Sequence, residues 1–359
     1  MPVRRLAIVG TGLIGASVGL AAKHAGVAEV VGSDPANAGA ALERGAIDRI
    51  DDDLESDLVV VAVPVAQLPA RVRATLDATR DATVTDVGST KAPVMAAAGA
   101  DPRFVGGHPV CGSEARGPAH ANGDLFSGAT WFLTPVARTD PERYRTLHGF
   151  VASLGATPVA IDPNAHDRLV AITSHLPHVL ANVVVNQAGA AKVEGHDPLA
   201  AAGGSLRDMT RVAGANPRIW VDIFLDNARA IGEALAEHRR RIEQVEQALA
   251  AGDAGYFARW IGQAAANRRT MLADAYPDPA DLHRVRVHVP DRPGVLAGIT
   301  QALGAERINI EDFELQHISP ERGGVVTLLV TGEGEARRAA ELLEGQGYGV
   351  VVSAVLDEG

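Results

Sequence analysis

The feature that most constrains the fold is a glycine-rich turn near the N-terminus, Gly10-Thr11-Gly12-Leu13-Ile14-Gly15, which directly follows a short apolar run. In the spacing G-x-G-x-x-G, Gly10 permits a tight turn, Gly12 lets the backbone approach a pyrophosphate, and Gly15 lets helix and strand pack closely. Asp34 lies 19 residues after Gly15, where a carboxylate would accept hydrogen bonds from ribose hydroxyls and repel a 2′-phosphate. The pattern predicts a dinucleotide site and favours NAD over NADP as the cofactor.

Continuous Val-rich runs extend this unit into a larger domain. They are Leu6–Val9, Glu29–Gly32, Leu58–Val63 and Thr83–Val87, and amphipathic stretches separate them. Such runs are typical of parallel strands that are buried on both faces. We therefore predict a doubly wound, Rossmann-type α/β domain over residues 1–161. Pro64, which follows the third run, is grouped with the predicted cofactor-binding residues.

The pattern changes after residue 161. Ala-rich segments with helical periodicity replace the strand-like runs, namely Asn164–Ala191, Pro217–Gly252 and Asp253–Tyr276. They predict an all-helical domain over residues 162–277, and the two prolines near residue 278 predict a linker after it. Residues 282–359 then follow the order βαββαβ, which predicts a ferredoxin-like domain.

The composition excludes several classes of protein. A net charge of −11 argues against nucleic acid and anionic membrane surfaces as partners, and an anionic substrate would need a dedicated cluster of cations. No apolar run reaches about 18 residues and no signal-peptide pattern is present, so we expect a cytoplasmic protein without a membrane span. Cys111 is the single cysteine, and His175 and His178 lack an H-E-x-x-H pattern. We predict neither an intrachain disulfide nor a metal site.

One histidine is the best candidate for proton transfer. His108 follows an apolar run and is expected at the carboxyl edge of the parallel sheet, where ligands bind in such folds. Its ordinary pKa suits a general base, and Ser89, at the end of the preceding strand, could orient its ring. A structural or solvated histidine is the alternative at such a position.

Two arginines form the best candidate anion site. Arg207 and Arg211 are four residues apart in a predicted helix, so they would lie on one face and repel each other. An anion between them would remove that cost. Alternatively, Asp208 or another acid neutralises them on a solvated surface.

Six motifs, in order over residues 4–275, together resemble the prephenate/arogenate dehydrogenase family of tyrosine biosynthesis. They are GTGLIGAS, DVGSTK, GGHPVCGSE, AHD at 165–167, SHLPH at 174–178, and GGSLRDMTR followed by Trp220-Val221-Asp222-Ile223-Phe224. Residues 291–296 and 308–310 resemble an ACT domain, a module that commonly binds amino acids and regulates such enzymes. There the candidate effector contacts are Asp291, Gly294 and Asn309.

The resemblance implies an NAD-dependent oxidative decarboxylation of prephenate, in which hydride leaves C4 of the ring and the ring carboxylate leaves as CO₂. His108 would accept the C4 hydroxyl proton, and Ser89 would keep His108 and the nicotinamide in register. Arg211 would pair with the ring carboxylate. The other implied substrate-binding residues are Ser174 and His178 for the substrate side chain, Trp220 as a pocket wall, His166 near the site, Glu114 at its mouth, and Arg207 and Gly204, which would reach the neighbouring subunit's pocket in a homodimer.

Several alternatives stay open at this stage. Arogenate carries an amine where prephenate carries a keto oxygen, and the sequence does not separate the two substrates. A β-hydroxyacid dehydrogenase would use a catalytic lysine, for which Lys192 is the one candidate in the helical region. A non-catalytic sensor that binds NAD and an amino acid is a third reading. For the ACT region we expect tyrosine to bind across an ACT–ACT interface and lower activity, so deletion of residues 282–359 would leave an active, tyrosine-insensitive enzyme.

Overall fold

A computed structural model describes residues 3–111, 115–273, 281–319 and 323–355 of the chain. They group into two compact units, Met1–Arg241 and Ile242–Gly359, and the boundary between the units falls inside a long helix.

The first part of unit one alternates strands and helices. The strands are β1 (Arg5–Val9), β2 (Glu29–Ser33), β3 (Arg49–Ile50), β4 (Leu58–Val61), β5 (Thr83–Asp86), β6 (Gly106–Pro109), β7 (Thr130–Thr134) and β8 (Thr157–Ala160). The helices are α1 (Leu13–His24), α2 (Ala38–Glu43), α3 (Leu68–Ala78), α4 (Ala92–Ala98) and α5 (Pro141–Ser153), with 3₁₀ turns at Val65–Gln67 and Pro118–His120.

A five-stranded parallel sheet of order β3-β2-β1-β4-β5 forms the centre of this part. Alternate residues of each inner strand enter different cores: Leu6 and Ile8 pack on one side of the sheet, and Ala7 and Val9 on the other. The predicted doubly wound domain, with strands buried on both faces, is confirmed.

A second, three-stranded sheet of order β6-β7-β8 was not anticipated. β6 and β7 are antiparallel, whereas β7 and β8 are parallel. Val105 donates its backbone N–H to the carbonyl of Val84 at 3.0 Å, so the chain that leads into β6 runs beside β5.

The helical region follows. Its elements are α6 (Pro163–Val170), a π-helical segment at Ala171–His175, α7 (Leu176–Ala190), α8 (Gly204–Met209), α9 (Pro217–Asp226), α10 (Ala228–Ala251) and α11 (Ala254–Ala273). The Asp162 side chain caps α6 by accepting the backbone N–H groups of Asn164 and Ala165. The helical content agrees with the prediction. Single π turns inside α-helices are often found at functional sites.

The helix that runs through the π segment, residues 163–190, is long and apolar enough to cross a membrane by length and composition alone. Only 22% of its most apolar window is buried within the chain. The sequence was expected to contain no such segment, because no uninterrupted apolar run reaches about 18 residues; this helix is apolar on average, although polar residues such as Ser174 and Asn182 interrupt it. Such an exposed apolar surface is normally covered by a partner. That partner can be a second protein chain as well as lipid.

Unit two contains the ferredoxin-like elements. They are β9 (Leu282–Val289), α12 (Val295–Ala305), β10 (Asp312–Ser319), β11 (Gly323–Thr331), α13 (Glu333–Gly345) and β12 (Gly349–Ala354). The strands form an antiparallel sheet of order β10-β11-β9-β12. Valines of β9, which face α12 and α13, form the centre of its core. The predicted order βαββαβ is confirmed.

Candidate active site

The parallel sheet brings several predicted residues to one edge. Gly10 follows β1, Pro64 lies just after β4, and Ser89 lies just after β5, so all three are found at the carboxyl ends of adjacent strands. Helix α9 packs on the 3₁₀ turn that follows Pro64. Thr90 Oγ1 also donates to Asp226 Oδ2 at 3.4 Å, which ties the end of α9 to this edge. The helical region therefore closes over the carboxyl edge of the sheet.

The glycine loop has the geometry of a nucleotide cradle. Gly10 has φ +91°, and an added Cβ would lie 2.7 Å from the carbonyl oxygen of Ala62. A Cβ on Gly15 would lie 2.0 Å from the Gly10 oxygen, so helix α1 needs a glycine there to approach the loop. A Cβ on Gly12 would meet no atom of the described residues within 4 Å. Packing among these residues does not require a glycine at position 12, but a ligand lying against the loop would.

Asp34 is held rigidly behind this loop. Its Oδ2 accepts the Thr11 backbone N–H at 2.9 Å, and its Oδ1 accepts the N–H groups of Ala36 and Asn37 at 2.8 and 2.9 Å. Partial burial opposes ionisation, but these hydrogen bonds outweigh it and lower the pKa of the carboxyl group. A fixed negative charge therefore stands at the end of β2, where an adenosine ribose would lie.

The sequence predicted His108 at the end of a parallel strand. The residue does lie beside this edge, but it belongs to a strand of another sheet. It is the third residue of β6 and pairs with Phe132 of β7 in the second sheet. The close approach of β6 to β5 depends on Gly107, because a Cβ there would lie 2.5 Å from the Asp86 carbonyl oxygen. The glycine thus allows a strand of another sheet to carry His108 to the carboxyl end of β5.

A buried ion pair also holds β6 close to β5. Lys91 and Asp86 are both fully buried and joined by a short hydrogen-bonded ion pair. Lys91 Nζ also donates to the Gly107 carbonyl at 2.5 Å, and Asp86 Oδ1 accepts the Gly107 N–H at 3.1 Å. Burial lowers the pKa of Lys91, and the Asp86 carboxylate opposes that effect. Both residues lie within the DVGSTK motif, but the sequence alone assigns neither of them a role.

His108 is the end of a hydrogen-bonded chain that comes from helix α6. Its Nδ1 lies 2.8 Å from His166 Nε2, and His166 Nδ1 lies 2.9 Å from Asp167 Oδ1. Asp167 also accepts the backbone N–H groups of Lys91 and Ala92, each at 2.8 Å. Among residues 3–111 and 115–273 no hydrogen bond joins Ser89 to His108. His166 therefore holds the ring in the way that had been predicted for Ser89.

The environment keeps His108 neutral. Burial is the main cause that moves its pKa well below 6.5, and the positive charges of His166, when protonated, and of Lys91 act in the same direction. A neutral imidazole is the form that can accept a proton. Burial also raises the pKa of the Cys111 thiol to about 11, so this neighbour is a protonated thiol and a poor nucleophile.

A second group of side chains continues from the first. Asn227 Nδ2 donates to the Asp167 carbonyl at 2.8 Å and lies 3.1 Å from His175 Nδ1. The His175 ring lies edge-on to Trp220 at 6.0 Å, and Trp220 stacks on His178 at 3.5 Å between ring centroids. An unbroken series of contacts therefore joins His108 to His178.

Arg211 lies next to this second group. Burial lowers the pKa of His178, and the nearby Arg211 guanidinium lowers it further. α8 ends at Met209, so the helical spacing assumed for Arg207 and Arg211 does not reach Arg211. Both arginines are exposed, and within the described ranges neither forms an ion pair with Asp208 or any other acid. Two unneutralised cations in an acidic protein favour an anionic ligand.

The remaining predicted residues fall into three groups. Ser174 lies half-buried in the π segment, and Gly204 begins α8. Glu114 lies outside the described residues. Lys192, which a β-hydroxyacid dehydrogenase would need at its centre, is exposed and pairs with Asp197 at 3.1 Å. In the part of the chain that the structure describes, no group of three or more histidine, cysteine or acidic side chains could hold a metal ion.

The ACT-region candidates lie around the start of α12. Gly294 caps that helix with φ +89°, a left-handed conformation that favours glycine. Asn309 Nδ2 donates to Glu311 Oε1 at 2.8 Å, just before β10. Asp291 lies in the turn between β9 and α12.

The buried His175 predicts a measurable pH dependence of stability. Burial lowers its pKa from 6.5 to about 4, so the unfolded chain binds a proton between these pH values that the folded chain does not. The free energy of unfolding should therefore fall as the pH drops from 6.5 to 4, with His175 contributing on the order of 3 kcal/mol. Urea unfolding of the wild type and of His175→Gln across this range checks it: the variant should show a shallower slope, and equal slopes would contradict the assignment.

Family models match three successive parts of the chain. The nucleotide-binding domain of prephenate dehydrogenase matches residues 18–160, and the dimerisation domain of prephenate dehydrogenase matches residues 162–263. The ACT domain matches residues 283–347.

Two relatives match most of the chain. The chain is 32% identical to the prephenate dehydrogenase of Bacillus subtilis over 94% of this chain and 95% of that protein. It is 30% identical to the cyclohexadienyl dehydrogenase of Zymomonas mobilis over 76% of this chain and 97% of that protein.

Two solved structures are also similar. Prephenate dehydrogenase from A. aeolicus, in complex with hydroxyphenyl propionate and NAD⁺, superposes with a TM-score of 0.70 at 26% identity over 76% of this chain and 99% of that one. Synechocystis arogenate dehydrogenase gives a TM-score of 0.68 at 27% identity over 74% and 99%. With its nucleotide-binding, dimerisation and ACT regions in this order, the chain belongs to the prephenate dehydrogenase family.

Proposed function

We propose that the protein catalyses the NAD⁺-dependent oxidative decarboxylation of prephenate to 4-hydroxyphenylpyruvate, in the synthesis of tyrosine. The observation that carries the proposal is the meeting of three features at one sheet edge: the open glycine loop, the neutral His108, and α9 of the helical region. The relatives named prephenate dehydrogenase support the choice of substrate.

The residues present fit NAD. Gly12 leaves open space over the loop, and Asp34 presents a fixed carboxylate that suits ribose hydroxyls and disfavours a 2′-phosphate. Buried Thr11 Oγ1 has no hydrogen-bond partner among the described residues. When bound, NAD⁺ supplies the hydride acceptor. Residues 10–15, Asp34 and Pro64 would hold it, with Ser89 on the nicotinamide side.

His108 would perform the proton transfer. Its Nε2 has no hydrogen bond to any described residue, so this nitrogen can face a ligand. As hydride leaves C4, Nε2 takes the proton of the C4 hydroxyl group. The bond from the ring to its carboxylate then breaks, CO₂ leaves, the electron pair enters the ring, and the proton on His108 returns to the phenolate oxygen. The two organic products and CO₂ account for every atom and charge.

The helical region would bind the rest of the substrate. Arg211 is exposed and forms no ion pair with a described residue, so its guanidinium can form a bidentate contact with the ring carboxylate. His178 Nδ1 is buried and lacks a hydrogen-bond partner among the described residues, and its ring is stacked on Trp220. We assign His178 and Ser174 to the substrate side chain and Trp220 to the pocket wall.

The assay that tests this proposal is NADH formation with prephenate and with arogenate, each at the same NAD⁺ concentration. We expect a higher kcat/KM with prephenate. The structural similarity to an arogenate dehydrogenase makes arogenate the second candidate substrate, and a higher kcat/KM with arogenate would replace the first assignment. No NADH from either compound, with retained amino-acid binding, would instead support a sensor.

The match to a dimerisation domain supports the proposal that a second copy of the chain covers the exposed apolar helices. Their exposed apolar residues are Val183 on α7, Met209 on α8, and Ile219, Val221 and Leu225 on α9. An exposed apolar surface of this kind on a single chain is typical of an obligate interface. We propose that Arg207 and Gly204 reach the partner's pocket across it. Covering this surface in a homodimer also agrees with the predicted cytoplasmic location.

The ACT domain supports a small-molecule effector, which we propose is tyrosine, acting as an inhibitor. Since α11 belongs to the same compact unit as the ACT region, a point substitution is a cleaner test than deletion. Asn309→Ala should raise the tyrosine concentration for half-inhibition by about tenfold, because one polar side-chain contact is lost. Gln301→Ala, on an exposed face of α12, is the matched control. Unchanged inhibition in Asn309→Ala would exclude Asn309 from the effector site.

A further inference from the structure

We infer that Asp167 and His166 are positioning residues that set the tautomer of His108, so that its Nε2 presents a lone pair to the substrate hydroxyl group. The inference rests on the proposed role of His108 as proton acceptor. It also gives His166 a role that differs from the substrate contact expected from the sequence.

The series of hydrogen bonds that ends at His108 begins at the Asp167 carboxylate. Both oxygens of Asp167 accept backbone N–H groups, one from Lys91 and one from Ala92, and backbone N–H groups can only donate. Burial opposes ionisation of this carboxyl group, yet the hydrogen bonds from His166 and from the two amides lower its pKa. Asp167 is therefore an ionised acceptor at the N-terminus of α4.

Because the Asp167 carboxylate can only accept, it determines which nitrogen of each histidine ring carries the hydrogen. His166 Nδ1 lies 2.9 Å from Asp167 Oδ1, so it must carry the hydrogen and donate it. In a neutral ring the other nitrogen, Nε2, is then an acceptor. His108 Nδ1, 2.8 Å away, must donate to it. The remaining nitrogen of His108, Nε2, is left without a hydrogen and can take the substrate proton.

Packing holds the hydrogen-bonded series Asp167–His166–His108 in one arrangement. His166 is fully buried, its ring lies edge-on to Phe132 at 5.4 Å, and Asp167 is 4% exposed. Asn227 donates to the Asp167 backbone carbonyl, which fixes the turn of α6 that carries both residues. After proton uptake, the His108 imidazolium still donates from Nδ1 to His166, so no ring has to rotate during the reaction.

Three substitutions at position 166 separate positioning from general structure. The amide of His166→Gln can accept from His108 Nδ1 with its oxygen and donate to Asp167 with its nitrogen. His166→Asn has the same chemistry but is one methylene shorter and cannot bridge both partners. His166→Phe keeps the volume and makes neither bond. His148→Gln and His148→Asn are matched controls at an exposed histidine whose ring lies against Tyr144 and whose side chain has no hydrogen bond to a described residue.

We expect His166→Gln to keep kcat within about tenfold of the wild type, and His166→Asn and His166→Phe to lose about 10²–10³-fold, with KM nearly unchanged in all three. Equal kcat in the Gln and Asn variants, or wild-type kcat in the Phe variant, would overturn the inference. His108→Asn is measured alongside: if it too keeps wild-type kcat, the proposed function fails first. If His108→Asn alone loses activity, only the positioning role fails. Thermal unfolding of each variant identifies any loss of fold.

Discussion

Replacing His108 by asparagine is expected to lower kcat by about 10²–10⁴-fold and to change the KM for prephenate by less than about threefold. The imidazole accepts the hydroxyl proton only as hydride leaves, so its contribution is made in the transition state and not in the bound ground state. Asparagine is close to histidine in size and can still accept a hydrogen bond, but it cannot take up the proton.

The measurement is steady-state NADH formation at saturating NAD⁺, with the exposed His148→Asn as the control. The lowered pKa of His108 adds a second expectation: wild-type kcat/KM should stay high well below pH 6.5 and fall only in stronger acid. A large rise in KM with unchanged kcat would show that His108 binds substrate and does not transfer its proton.

Arg211→Ala should produce the opposite pattern, raising the KM for prephenate by about 10²-fold while lowering kcat by less than about tenfold. A cation on the ring carboxylate stabilises the bound substrate and opposes the loss of CO₂. It therefore acts mainly as an anchor that binds the ground state and the transition state about equally, so its loss raises KM more than it lowers kcat.

Two further substitutions define the role of the guanidinium. Arg211→Lys should recover only part of the affinity, because an ammonium group cannot form the bidentate contact. Arg218→Ala removes another exposed arginine, at the start of α9, and should leave KM unchanged. If Arg211→Ala and His108→Asn showed the same kinetic pattern, the division between anchor and proton acceptor would be wrong.

The sequence predicted the fold wherever the signal is local. The G-x-G-x-x-G turn, the Val-rich runs and the helical periodicity each depend on residues within a few positions of one another, and all three correspond to observed elements. The second sheet was missed because β6 pairs with β7 more than 20 residues later. His108 was therefore placed at a strand end, although it is part of a paired strand.

The candidate site shows the same difference between local signals, which the sequence reveals, and long-range contacts, which it does not. His108 and Arg211 stand in recognisable motifs, whereas the partners that hold His108 come from distant positions: His166 is 58 residues away, and the Lys91 amide bonds Asp167 across 76 residues. A short motif does not reveal such pairings. The adjacent His166 and Asp167 were the available signal, since a buried histidine beside an acid often has its tautomer fixed by it.

The most direct test of the central claim is a structure of the protein with NAD⁺ and a phenolic product analogue bound. His108 Nε2 should lie within about 3.2 Å of the phenol oxygen, and the Arg211 guanidinium should face the opposite end of the ring, where the carboxylate was lost. A ligand whose hydroxyl group lies beyond hydrogen-bond reach of His108, with Arg211 directed into solvent, would contradict the account.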